Sequence, residues 1–167
     1  MPLAKIRLFP DIVLRKKSEA VSVFSHEVAR IFKTLDKTME AQPSGIGIAA
    51  PQIGILKRLV VVDVSSRDPK AKRLYLANPE ILEAKNPVPS REGCMSLPEY
   101  TAPLKRFDWI RVRWQDHEGK FCENTTSGIE AICIQHEVDH LNGILFFDRV
   151  AALKTDMIPR RMSSRKE

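Results

Sequence analysis

Residues 128–141, GIEAICIQHEVDHL, constrain the fold more than any other segment, because they set ionisable groups in the middle of an apolar helical pattern. Ser127-Gly128-Ile129-Glu130 has the Ser-x-x-Glu form of a capping box, which predicts a helix from Gly128, and Asn142-Gly143 predicts its end. His136 and His140 stand four residues apart, so their imidazoles share one face of that helix, a turn from each other, and both can reach one metal ion. Ile132, Ile134, Leu141, Ile144 and Leu145 surround them. The helix is therefore expected in the interior, where unpaired imidazoles and a carboxylate are costly to desolvate and a bound metal would offset that cost. Glu137, about 100° around the helix from His136, is suited to handle a proton beside the ion rather than to bind it. At this composition a chance His-Glu-x-x-His has a frequency of roughly 0.7%, which disfavours coincidence.

The rest of the chain reads as mixed α and β. Ser25 is placed to cap a helix to Met39 whose Val28, Ile31, Phe32, Leu35 and Met39 fall on one face. QPSGIG at 42–47 breaks it, and LVVVDV at 59–64 reads as a buried strand. Short strands are expected at 74–77 and 81–84 on either side of Asn78-Pro79. Ile110, Val112 and Trp114 alternate with Arg111, Arg113 and Gln115 in a half-buried strand, and Asp116 to Gly119 turn it into a hairpin. The expected architecture is α+β, with mostly antiparallel β-sheet around a central metal-binding helix and a further helix near the N-terminus. With 167 residues, no repeats and no linker between two apolar regions, residues 1–167 are read as one catalytic domain with a short basic tail at about 150–167.

Composition excludes several classes. No apolar run is long enough to span a bilayer, and the N-terminal residues lack the continuous apolar segment of a secretory signal. Three cysteines, Cys94, Cys122 and Cys133, are too few for a disulfide framework and favour a reducing compartment. Residues 149–167 hold six basic against two acidic residues, including Arg149, Arg160, Arg161, Arg165 and Lys166, which reads as a solvated tail with some attraction to RNA. After His140 no further His appears and the only Glu is the last residue, so a third metal ligand has to come from upstream. Cys94, in REGCMSLP after a permissive Gly93, is the candidate.

Three separated segments, Gly45 to Gln52 (GIGIAAPQ), Glu92 to Ser96 (EGCMS) and Gln135 to Gly143 (QHEVDHLNG), resemble the signature motifs of peptide deformylases and occur in that family's order. Ile48 and Met95 stand where the family more often has Leu, and the likeness extends over most of residues 3–150. The C-terminal segment departs from the longer helical tail of many bacterial members. The resemblance implies a hydrolase that removes the N-formyl group from the formyl-methionine of nascent polypeptides by attack of a metal-bound hydroxide. It implies that Cys94, His136 and His140 hold the metal, that Glu137 is the general acid/base, and that Gln52 with the Met95 backbone N–H binds the formyl oxygen. It further implies that Gly47 pairs with the peptide backbone while Ile46, Ile132 and Cys133 line a methionine pocket. A divalent ion is expected, iron(II) in the cell, with zinc, nickel or cobalt compatible with the same ligands in purified protein. The implied setting is bacterial cytoplasm ahead of an organelle of bacterial origin, with a monomer favoured, no membrane partner, and transient contact with the ribosome surface left open.

Two other readings compete. A general metallopeptidase would use the same helix but has no need of the Cys94 motif. A structural metal module with a nucleic-acid-binding tail would leave Glu137 and Gln52 without roles. Gln52 taken alone reads as a loop residue satisfying backbone groups, Cys122 and Cys133 as small buried or half-buried hydrophobes, and His26 and His117 as exposed background. Trp109 and Trp114 read as strand packing. Because the three motifs end by Gly143, removing the residues after Pro159 is expected to leave turnover of short peptides nearly unchanged.

Overall fold

The computed structural model describes residues 3–160. Helix α1 (His26–Glu40) starts where Ser25 Oγ accepts from the Glu27 N–H, and it turns Val28, Ile31, Phe32, Leu35 and Met39 inward. Strands β1 (Gly47–Ala49), β2 (Leu59–Val62), β3 (Leu74–Cys94), β4 (Leu97–Gln115) and β5 (Phe121–Ser127) form one antiparallel sheet in that order. Helix α2 (Gly128–Leu141) follows, then a short α3 (Leu153–Asp156) and β6 (Ile158–Pro159), which pairs with Tyr100 and Thr101 of β4. No helix among the described residues is long and apolar enough to cross a membrane.

The unbroken apolar run of β2 follows from its place between two helices. Leu59 and Val61 pack in a cluster with Phe32, Leu35 and Met39 of α1, whereas Val60 and Val62 pack with Ala131, Ile134 and Leu141 of α2. Successive strand residues face opposite ways, so covering both faces demands apolar residues at every position. Each such side chain contributes roughly 1.5–3 kcal/mol on leaving water. α2 is thus the inner layer over one face of the sheet, as its composition requires.

Three local expectations are corrected. The segments 74–77 and 81–84 are not separate strands but parts of β3, which passes through Asn78-Pro79 by a register shift between Ala77 and Glu80. Asn78 takes φ 50°, and its amide binds the Val21 N–H and C=O at 2.8 and 2.9 Å, so the bulge is held from outside the sheet. β4 begins at Leu97 rather than near Ile110: its first half pairs with the second half of β3 and turns Ala102, Leu104 and Arg106 inward, an alternation masked in the sequence by a buried arginine and by the exposed Phe107. The capping box does not form: Ser127 makes no side-chain cap, and Gly128 instead turns the chain into α2 with φ 65°. The helix limits, 128 and 141, are those the pattern predicts.

Candidate metal centre and active site

α2 delivers His136, Glu137 and His140, and the end of β3 delivers Cys94. The helix stops where Gly143 takes φ 72° and leaves no room for a side chain, since a Cβ there would lie 2.4 Å from the Arg15 carbonyl oxygen. The two imidazole rings lie 5.0 Å apart, and the His136 ring stacks on Phe146 at 6.3 Å. Cys94 Sγ is 3.2 Å from His140 Nε2, and one donor atom from each of Cys94, His136 and His140 lies within 4.8 Å of the others.

The set fits a divalent metal. A thiolate and two imidazoles are three protein donors beside an open cavity, the arrangement of catalytic rather than closed structural sites. Burial alone pushes the Cys94 thiol up, yet the His140 and His136 imidazoles beside it hold it well below its ordinary value, in the form a metal needs. Glu137 Oε2 is buried without a hydrogen-bond partner among the described residues, as is His140 Nδ1, the ring nitrogen other than the one that meets Cys94.

A buried ionic chain holds the first histidine. His136 Nδ1 lies 2.8 Å from Glu92 Oε2, which leaves Nε2 as its ligand atom. Arg106 donates to both Glu92 oxygens at 2.8 and 2.9 Å and to Asp139 Oδ2 at 2.6 Å, and Arg149 Nη2 donates to Asp139 Oδ1 at 2.6 Å. Burial would raise the Glu92 carboxyl, but His136 and Arg106 bring it down to about 2. Sequence reasoning missed this chain. Glu92 and Asp139 sit inside quoted motifs, but Arg106 has no local signal, and Arg149 was counted with the basic tail although it closes the network.

The other candidates gather at one cavity of about 1000 Å³. Gln52 is 1% exposed; its Oε1 accepts from the Ala49 N–H at 2.9 Å, while Nε2 reaches Ser96 Oγ at 3.2 Å and Cys94 Sγ at 3.5 Å. It therefore satisfies a backbone group and also aims a donor at Cys94, one of the candidate metal ligands. Buried Ser96, which fixes that donor, was also missed. Met95, Ile46 and Ile132 line the cavity half-buried, and buried Cys133 donates to the Ile46 carbonyl at 3.4 Å. Burial pushes the Cys133 thiol well above its ordinary value. Burial also raises the Glu137 carboxyl, to about 7.

Gly47 is required by a close approach. A Cβ there would stand 2.6 Å from both Cys133 Sγ and Glu137 Oε1, so β1 passes directly over the catalytic candidate. β1 pairs with β2 only, and the Ile46 carbonyl accepts from Asp63 on that side. By strand alternation Gly47 turns its N–H and C=O the other way, towards the cavity it lines. Cys122, His26 and His117 lie outside this group, as expected; His26 and His117 are exposed. Arg160, read from the sequence as tail, lines the cavity, whereas Arg161, Arg165 and Lys166 lie outside the described residues.

Comparison with known proteins gives a consistent result. Residues 3–156 match the family model for polypeptide deformylase. A peptide deformylase of Thermodesulfovibrio yellowstonii is 39% identical over 166 residues, covering 99% of this chain and 100% of that one. The crystal structure of the Thermotoga maritima peptide deformylase superposes with a TM-score of 0.84 at 36% identity, covering 91% of this chain and 100% of the other. A Met-Ala-Ser-bound deformylase from Acinetobacter baumannii superposes with a TM-score of 0.83 at 31% identity, covering 89% of this chain and 99% of the other.

Proposed function

The chain belongs to the polypeptide deformylase family, metal-dependent enzymes that remove the N-formyl group from nascent polypeptides, and on that footing we propose how its own residues carry out the reaction. Cys94, His136 and His140 hold the metal, Glu137 moves the proton, and Gln52 Nε2 with the Met95 backbone N–H receives the formyl oxygen. The observation that carries this reading is the convergence of three donor atoms within 4.8 Å, one of them a thiol beside two imidazoles, next to a buried carboxylate and an open cavity. A divalent ion bound there lowers the pKa of a water ligand to about 7 and so supplies a nucleophile at neutral pH.

The protein side chains do the rest. Glu137 accepts the proton released when the water oxygen bonds to the formyl carbon, and it returns that proton to the methionine nitrogen as the C–N bond breaks, leaving formate and a free amine. The formyl oxygen gains negative charge before that cleavage. Gln52 Nε2 is held in advance, through Ala49 and Ser96, as a donor to that charge, so it stabilises the transition state more than the substrate. The Gly47 backbone pairs with the peptide as an added strand at the free edge of β1, while Ile46, Ile132 and Cys133 receive the methionine side chain. Backbone pairing makes little demand on later residues. The relative bound to Met-Ala-Ser, which carries no formyl group, supports a short peptide beginning with methionine as the released product.

The ion proposed in the cell is iron(II), with zinc, nickel or cobalt able to occupy the same ligands after purification. The chain is read as one domain and a monomer. Bacterial relatives support a bacterial setting, with the cytoplasm as the proposed compartment. Turnover of formyl-Met-Ala-Ser, with no turnover of its acetylated form and metal content measured on the same sample, tests the activity. Equal hydrolysis of an unformylated peptide bond would instead favour a general metallopeptidase. Cys94→Ala should bind metal far more weakly than the parent by titration under anaerobic conditions, whereas Cys94→Asp should retain metal with a changed preference, oxygen having replaced sulfur. Parent-like affinity in Cys94→Ala would remove Cys94 from the ligand set.

A further inference from the structure

The cavity mouth carries more positive charge than the reaction uses. Arg67, Arg91 and Arg160 all line it, and none of the three is ion-paired with another described residue. The two acidic residues in the same lining are buried: Glu92 is committed to Arg106 and His136, and Glu137 to the reacting centre. The cationic groups are therefore left for something that enters.

Two of them are built into one place. β6 brings the chain back beside β4, with Ile158 opposite Thr101 and the Arg160 N–H donating to the Glu99 carbonyl at 2.8 Å. That return lays the Arg160 guanidinium against Gly93, the residue before Cys94: a Cβ at 93 would lie 1.8 Å from Arg160 Nη2 and 2.8 Å from its Cζ. The missing side chain at Gly93 is what admits the guanidinium to the cavity. Arg91 is two residues upstream in an unshifted ladder, so it projects from the same face of β3 as Gly93. Its Nε and Nη2 both reach Thr101 Oγ1 at 3.3 Å, which draws the group towards the strand that β6 pairs with. Glu92, between them, faces the opposite way into the buried network.

We propose that Arg160 and Arg91, with Arg67 also on the cavity wall, form an anion-binding rim that favours formylated peptides bearing a carboxylate within the first few residues after methionine. This deepens the deformylase reading and rests on it. The carboxylate has two sources, an acidic side chain or the free C-terminus of a short peptide, and both meet guanidinium donors in the same way.

The test compares metal-loaded, full-length enzyme on formyl-Met-Ala-Asp-amide, its Asn and Lys counterparts, and formyl-Met-Ala-Ser as free acid and as amide. The Asp peptide should exceed the Asn peptide in kcat/KM by about fivefold at low salt, mostly through KM, and the Lys peptide should fall lower still. The advantage should shrink as ionic strength rises. An advantage of free acid over amide assigns the terminal carboxylate to the same rim. Arg160→Gln and Arg91→Gln should each reduce the Asp-to-Asn ratio, a readout that general damage to turnover does not move. Turnover of all the peptides without charge discrimination, or a parent-like ratio in both variants, overturns the inference alone. No turnover of any formylated peptide would remove the deformylase reading and this inference with it.

Discussion

Glu137→Ala should keep near-stoichiometric metal and lose turnover by roughly 10²–10⁴-fold, the range for removing a positioned general acid or base. The carboxylate is one residue from His136 but is not in the group of converging donor atoms, so its loss leaves the ligands in place. The loss should appear in kcat, because the proton is moved in the transition state and not in binding. Glu137→Gln removes the same function while filling the space under Gly47, where a Cβ would stand only 2.6 Å from Glu137 Oε1. The two variants should therefore lose activity alike, and metal analysis beside steady-state kinetics checks both. Glu137→Gln turning over like the parent would transfer proton handling to another group.

Arg106→Met should be the most destabilising single change at a charged residue. The Arg106 side chain is 3% exposed and is shared by Glu92 and Asp139, so its removal leaves buried carboxylates short of a counter-charge. Breaking a buried pair in this way costs about 3–5 kcal/mol. Arg113, 2.9 Å from Glu80 but with its side chain 45% exposed, provides the contrast: Arg113→Met should cost less than about 1 kcal/mol. Denaturant unfolding of the two variants measures the difference directly. Because Glu92 also holds His136 Nδ1, Arg106→Met should weaken metal affinity by roughly 10–100-fold, as expected when a ligand loses its outer support. Equal stability losses in the two variants would mean that the buried chain has no special role.

The candidate metal ligands were legible because chemistry and period coincide: two His four apart in an apolar helix require an explanation, and Cys94 stands in a motif of its own. Glu137 was readable as a proton carrier from its place beside His136, whereas Gly47 and Gln52 gained their proposed roles from the likeness between motifs, and the close approach of Gly47 to Glu137 gives one physical reason for that glycine. The supporting arginines had no such signal. Arg106 and Arg149 lie 33 and 10 residues from the Asp139 they bind, and nothing in their neighbours distinguishes them from surface charge. Arg160 reads as tail because it lies far in sequence from Gly143, whereas β6 brings it back beside β4. Removing the residues after Pro159 therefore takes a group out of the cavity wall, and turnover of a short formylated peptide by the truncated chain measures whether that group matters. The long reach of β4 was hidden for a different reason: its first half does alternate, but one inward position is Arg106 and the outward Phe107 is apolar, so polarity does not report which side is buried.

β1 has a further consequence for how long a processed chain can stay. It is three residues long, with one edge used by β2. On the proposed edge pairing, an incoming backbone would meet a ladder of only a few rungs, with Gly47 the residue turned towards it. A longer free edge would grip products as firmly as substrates and would also recruit other unpaired strands, the hazard of an open sheet edge. If a peptide pairs there as proposed, so short a ladder would orient its first residues without holding the product long, which suits an enzyme that must visit many growing chains once each.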